Sequence, residues 1–167
     1  MSSIQEVIQE LKQEAKSTAQ LLEIVPDEKL TWKPTPKSMT LGQLAMHVAT
    51  IPGNVSGLVS QDGFDAKTAN FTPPQPESSK EILAAFEASI PKATEVLSSW
   101  DEARATSNWT LRKGDQEVFT LPRIGVVRTI MLNHWYHHRG QLTVYLRLLG
   151  LSLPVTYGRS ADINPFD

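Results

Sequence analysis

The 167-residue sequence contains no cysteine. This absence excludes disulfides, a catalytic thiolate, iron–sulfur clusters and every zinc site that needs a cysteine ligand. Any bound metal must therefore be held by histidine or carboxylate side chains. Neither charge sign is in excess, since lysine and arginine total 16 against 18 aspartate and glutamate, a formal net charge of -2. The composition thus offers no basic surface for nucleic acid, and we expect no such partner.

Long apolar runs are also missing. No stretch approaches the roughly 20 apolar residues that a membrane-spanning helix needs. The first thirty residues lack the basic start and the apolar run of a signal peptide. We therefore expect a cytoplasmic protein without membrane contact. At this length, one domain spanning residues 1–167 is the simplest expectation.

Apolar residues recur at steps of three and four, the spacing of amphipathic helices, in the segments 4–25, 41–58, 83–100 and 120–149. Capping-box pairs, Thr40 with Gln43 and Ser78 with Glu81, precede the second and third segments. Gly150 stands where a C-terminal cap of the fourth is expected. Because such faces bury one another best in a shared core, the sequence predicts an all-α fold, a four-helix bundle.

Two connections between these segments are long. Residues 60–78 are rich in glycine, aspartate, asparagine and proline, and they exceed the roughly 12 to 15 residues usual for a loop, so we expect them to cover a site. Residues 101–120 contain apolar and aromatic residues around a Lys-Gly-Asp turn, a pattern typical of a short hairpin. Residues 151–167 are punctuated by proline and glycine and predict an irregular C-terminal tail. The helix order in the bundle stays open.

Three of the four histidines lie close together on the fourth segment. At about 100° per residue, His134 and His138 are about 40° apart on the apolar face, whereas His137 points roughly 100° away from its centre. Two imidazoles at i and i+4 can reach one metal ion. His47 lies near the apolar face of the second segment, so three inward histidines can converge on one ion. The competing interpretation is a set of core histidines, each with a hydrogen bond of its own.

Two motifs resemble the DinB/YfiT-like superfamily: residues 41–49, which contain His47, and His-x-x-x-His-Arg-Gly-Gln at residues 134–141. Residues 32–34 and 153–162 extend the resemblance over nearly the whole chain. Members of this superfamily are metal-dependent four-helix bundles. The resemblance implies that His47, His134 and His138 bind one divalent transition metal, zinc or nickel, and that the protein is a homodimer.

Other residues of these motifs are candidates for supporting roles. Gln141 lies one turn beyond His138, where it can hydrogen-bond a ligand imidazole or a substrate, or serve as a core amide. Asp162 belongs to a tail that can fold back over the metal. Arg139 lies off the apolar face, and we expect it to pair with a carboxylate at the surface or at a subunit interface. No catalytic acid or base is assigned.

Three nitrogen ligands leave a coordination position open, which is typical of catalytic zinc sites. An ion with an open position activates water for hydrolysis or an incoming thiol for transfer. Some members of the superfamily transfer low-molecular-weight thiols such as mycothiol or bacillithiol. We therefore predict a metal-dependent enzyme, a small-thiol S-transferase or a hydrolase. The alternative is a non-catalytic bundle in which the metal joins two helices and the role is dimerisation or partner binding.

Overall fold

The computed structural model describes residues 3–164 and 166, and most of these residues are helical. The long helices are α1 (Ser3–Glu23), α2 (Leu41–Val59), α3 (Ser79–Ser98) and a final helical stretch over residues 123–148. Their buried faces share one apolar core. Each leucine that is fully buried there contributes roughly 1.5–3 kcal/mol relative to an exposed position. The helical periodicity of the sequence is confirmed in all these segments.

The N-termini of α2 and α3 are capped in different ways. The Thr40 hydroxyl accepts a bond from the backbone N–H of Gln43, and the Gln43 side chain accepts one from the backbone N–H of Thr40, which completes the expected capping box. Ser78 accepts a bond from the backbone N–H of Glu81. The Glu81 carboxylate, however, accepts from the backbone N–H of Glu77 at 2.9 Å, so only half of the second capping box matches the prediction.

A three-stranded sheet corrects the prediction of an all-α fold. Its strands are β1 (Gly63–Asp65), β2 (Asn108–Lys113) and β3 (Gln116–Pro122), in the order β1-β2-β3. The antiparallel β2–β3 pair is the hairpin that the sequence predicts, with Gly114 at φ +63° in its turn. Strand β1 runs parallel to β2. Three residues are too few to show an alternating pattern, and their partner lies far along the chain, so β1 has no local signal.

The final helical stretch is less regular than its sequence pattern predicts. Thr120, the predicted start, instead belongs to β3, where its hydroxyl lies 2.8 Å from that of Thr110 across the hairpin. After a short helix α4 (Glu102–Thr106) and the hairpin, the chain forms α5 (Arg123–Val126), a π-helical turn over Val127–Asn133, and α6 (His134–Leu148). Gly150, at φ +78°, follows the end of α6, as expected for a C-terminal cap.

A buried arginine fixes the point at which residues 60–78 leave α2. Arg123 is 2% exposed. Its guanidinium donates to the backbone carbonyls of Val59 at 3.2 Å, Gln61 at 3.0 Å and Asn108 at 2.8 Å. These bonds satisfy carbonyls at the C-terminus of α2, which lack helical partners, and join them to β2 and to the start of the final helical stretch.

No helix in the part of the chain that the structure describes is both long enough and apolar enough to cross a membrane.

Candidate metal centre

A proline inside α2 sets the alignment of α2 with α6. Pro52 has no backbone N–H, so the carbonyl of Val48, four residues earlier, has no helical donor. The buried indole of Trp135 donates to that carbonyl at 2.9 Å. Val48 and Trp135 are the sequence neighbours of His47 and His134. The bond that repairs the defect in α2 therefore also brings these two histidines face to face.

The three histidines that the sequence singles out form one cluster. The Nε2 atom of His134 lies 3.4 Å from Nε2 of His47 and 2.7 Å from Nε2 of His138. The nitrogens that can bind a metal all lie within 4.8 Å of one another, and all three residues are partly buried. His137, by contrast, is exposed and lies outside this cluster.

Hydrogen bonds act on two of the rings. Nδ1 of His138 lies 2.8 Å from Oε1 of Gln141 and donates to it, because an amide oxygen only accepts. In the neutral ring of His138, Nε2 therefore carries a lone pair, and it faces Nε2 of His134 at 2.7 Å. A backbone hydrogen bond with Ile130 raises the pKa of His134, but burial lowers it more strongly. A cation bound between the two Nε2 atoms would be held by both rings.

Burial also keeps these rings neutral. Burial, the largest cause, lowers the pKa of His47 to about 4 together with the neighbouring His138 and His134. Burial is likewise the main cause that lowers the pKa of His134 and of His138. The rings are therefore neutral near pH 7, and neutral imidazole is the form that binds a metal.

The donor set fits a divalent transition metal. Two ligands of one tetrahedral zinc ion, each about 2.0–2.1 Å from it, are about 3.3–3.4 Å apart. The separation of 3.4 Å between His47 and His134 agrees with this value. The rings of His134 and His138 are closer than that, so they must separate slightly to share an ion. Imidazole ligands suit zinc, nickel, cobalt, iron or copper, so the ligand type alone does not select the metal.

A cavity of about 380 Å³ lies beside the cluster, and His47 and His134 form part of its wall. Apolar residues of α2 spaced one turn apart form another part of the wall: Ile51, Val55 and Leu58. Residues 69–74 of the long connection close the opposite side together with Phe64. The prediction that residues 60–78 cover a site thus agrees with the position of this segment over the histidines.

The covering segment is held at both ends. Before the cavity, the Asp65 carboxylate accepts from the backbone N–H of Gly114 at 2.9 Å, which fixes the segment to the hairpin turn. After the cavity, Gln75 accepts from the Thr40 hydroxyl at 2.6 Å and donates to the backbone carbonyl of Leu30 at 3.2 Å. The wall between these anchors is therefore largely formed before any ligand arrives.

The two supporting candidates occupy different places. Gln141 orients His138, as described above. Asp162 instead pairs with Arg147, at 2.5 Å and 3.0 Å, and accepts from the backbone N–H of Leu153 at 3.0 Å. These bonds hold the tail against the end of α6 and lower the pKa of the Asp162 carboxyl.

The sequence pattern places Arg139 at the surface or at a subunit interface, because it lies off the apolar face. In the structure Arg139 is instead buried, with 2% of its surface exposed. Its guanidinium pairs with the Glu14 carboxylate at 2.7 Å, donates to the Thr18 hydroxyl at 3.2 Å and also bonds the Tyr157 hydroxyl. The Tyr157 hydroxyl donates to Glu14 at 2.5 Å. Sequence reasoning missed Glu14, because a partner 125 residues away leaves no local pattern.

Comparison with known protein families identifies the family of this chain. The model of the DinB family matches residues 1–164. The chain belongs to the DinB family. In this DinB family member, three histidine nitrogens on two helices form a group that can hold a metal.

Several relatives match most of this chain, and the solved structures among them share its fold. The Bacillus subtilis (strain 168) protein YrdA, described as uncharacterized, is 27% identical over 150 residues, which cover 89% of this chain and 84% of YrdA. A DinB-like protein from Bacillus cereus ATCC 10987 is 29% identical with a TM-score of 0.67, over 90% of this chain and 95% of that one. A second DinB-like protein, YjoA of B. subtilis, has a TM-score of 0.68 at 17% identity, over 92% of this chain and 99% of that one, and supports the fold.

Proposed function

We propose that this DinB family protein is a metal-dependent enzyme whose ion is held by His47, His134 and His138. The observation that carries the proposal is the convergence of the Nε2 atoms of His134 and His138 at 2.7 Å with a third imidazole at 3.4 Å, beside a cavity large enough for a small molecule. We assign zinc or nickel as the metal and a four-helix bundle as the helical packing. A homodimer in the cytoplasm stays a prediction.

A divalent cation with three neutral imidazole ligands lowers the pKa of a water molecule or thiol at its open position. The chain itself contributes orientation and exclusion of water. Gln141 holds the His138 ring through Nδ1, which fixes the direction of Nε2. The apolar wall formed by α2 and the covering segment keeps bulk water away from the histidines.

Small-thiol transfer is the reaction that this cavity supports best. Metal-assisted hydrolysis commonly uses a carboxylate as general base. Among the described residues that line the cavity, none is aspartate or glutamate. Transfer needs no such base, because the sulfur forms a bond to an electrophilic carbon, the leaving group departs with its bonding electrons, and the thiol proton goes to solvent.

The non-catalytic alternative, in which the metal joins α2 to α6, has less support. The Trp135 bond to Val48 already joins these helices in a buried position. The ion pair of Arg139 with Glu14 joins α6 to α1. Neither contact needs a metal, so a purely structural ion would add little to the packing.

Two parallel assays test the proposal on zinc- or nickel-loaded protein. One follows conjugation of a small thiol to 1-chloro-2,4-dinitrobenzene, and the other follows hydrolysis of 4-nitrophenyl acetate. We expect thiol conjugation above the uncatalysed rate, lost in His138→Ala and kept in His137→Ala, the exposed neighbour on the same helix. Equal rates for wild type and His138→Ala in both assays would contradict an enzymatic role.

A further inference from the structure

The cavity beside the histidines is lined mainly by apolar residues. It is lined by fifteen residues, of which the α2 residues Ile51, Val55 and Leu58 and the covering residues Phe64 and Phe71 contribute apolar surface. The two phenylalanine rings meet edge to face with centroids 6.4 Å apart. An apolar group that fills this space removes apolar surface from water on both sides, which favours binding.

Charge is missing from the same wall. No aspartate, glutamate, lysine or arginine is found among the described residues that line the cavity. Its polar members other than the histidines are neutral, namely Thr50, Asn54, Asn70 and Thr72. A carboxylate or phosphate at the end of a ligand remote from the histidines, and so from the ion proposed there, loses water and meets no charged side chain among the described lining residues, which is costly.

Phe71 lies where it can affect which ligands bind in the cavity. Its side chain is 68% exposed although it lines the cavity, so it stands at the rim rather than in the core. The anchors at Asp65 and Gln75 on either side hold this part of the segment over the opening. The Phe71 ring therefore lies within reach of a ligand in this cavity.

We propose that this cavity binds the uncharged, apolar part of the substrate and that Phe71 is a specificity-determining residue that favours neutral over anionic small thiols. The inference rests on the proposed function for the position of the reacting sulfur. The preference itself depends only on the wall of the cavity. The expected substrate of this chain is a neutral aryl or alkyl thiol rather than a thiol that carries carboxylates.

The test is a binding comparison between two probes of similar shape. Zinc-loaded, 15N-labelled protein is titrated with benzyl mercaptan and with 4-(mercaptomethyl)benzoate, and amide shifts at Ile51, Val55 and Ile130 report binding in the cavity. We expect benzyl mercaptan to bind roughly tenfold more tightly or better. Equal affinities, or tighter binding of the carboxylated thiol, would overturn the inference.

Phe71→Ala with a matched control assigns the preference to this residue. Phe71 is mostly exposed, so its truncation leaves the core intact. Val118→Ala removes a comparably exposed apolar side chain, on β3, outside the cavity. We expect Phe71→Ala to reduce the ratio of the two affinities severalfold and Val118→Ala to leave it unchanged. A ratio that is the same in both variants refutes the role of Phe71.

The same titrations on metal-free protein separate this inference from the proposed function. Zinc content of each sample is measured by elemental analysis. If the protein takes up no zinc but still prefers benzyl mercaptan in the cavity, the metal-dependent function fails and the assignment of the cavity stands. If zinc binds stoichiometrically and neither form distinguishes the probes, the metal site stands and the inference fails.

Discussion

Two polar clusters on the same helix, only one residue apart in sequence, differ in how their hydrogen bonds are completed. On the side facing α1, Arg139, Glu14 and Tyr157 are linked by a buried ion pair and by mutual hydrogen bonds. On the side facing α2, the Nε2 atoms of His134 and His138 face each other and Nε2 of His47. A completed network stabilises the fold, whereas neutral imidazoles that converge on one point are suited to bind a cation.

The largest effect is expected from breaking the completed network. Arg139→Ala leaves the Glu14 carboxylate, itself only 14% exposed, without its charged partner. Loss of one member of a buried pair lowers the free energy of unfolding by about 3–5 kcal/mol. Denaturant titration measures this change, and folded protein should keep its metal.

Arg128→Ala is the matched control for this prediction. Arg128 pairs with Glu10 at 3.1 Å on the surface, where both side chains are more than a third exposed. Such pairs contribute about 0–1 kcal/mol. Equal losses of stability for the two arginine variants would show that the buried network is not a special feature of α6.

A change in the histidine cluster should have the opposite effect, a large loss of metal affinity with little loss of stability. His134→Ala removes the ring that lies between the other two, so metal affinity should fall by more than about 100-fold, beyond the range typical of residues that only support a ligand. The free energy of unfolding of the metal-free protein should change by less than about 1 kcal/mol, because the His134 ring is only partly buried. Isothermal titration with zinc and denaturant unfolding without it measure the two effects. Unfolding of the metal-free variant would contradict the proposed division of roles.

The hydrogen bond from Trp135 to Val48 aligns α2 with α6, so its loss should affect both stability and metal binding. Trp135→Phe removes the indole donor and leaves the Val48 carbonyl buried without a partner, which costs about 1–3 kcal/mol of stability. Because that bond places His47 opposite His134, metal affinity should also fall.

A second buried tryptophan provides the control. Among the described residues, Trp109 is one whose buried indole N–H has no hydrogen-bond partner. Trp109→Phe therefore loses a similar packing volume without losing a hydrogen bond. If both variants lose the same stability and keep the same zinc affinity, the Trp135 bond does not align the site.

The smallest effect is expected at Gln141. Gln141→Leu removes the acceptor of His138 Nδ1 at an exposed position, so metal affinity should fall by about tenfold and stability should hardly change. Gln141→Glu keeps an acceptor there and should retain the affinity of the wild type. A loss of equal size in the glutamate variant would show that the hydrogen bond to His138 is not the cause.

The parts that the sequence predicts well are those with a local pattern. The apolar periodicity located the long helices, and the phase of His134 and His138 on one face follows from their spacing of four residues. The correct grouping with His47 needed only that α2 and α6 share a core. What failed depends on distant partners or on breaks in regularity: β1 pairs with a remote strand, the final helix begins at Arg123 because Thr120 is part of the hairpin, and Arg139 is buried against α1.

The most direct test of the central claim is the metal content of protein purified without a histidine tag, measured by elemental analysis beside His47→Ala, His138→Ala and His137→Ala. The account predicts close to one divalent ion per chain in the wild type and in His137→Ala, and none in the other two variants. A wild type that holds no metal, even after incubation with zinc or nickel, would contradict it.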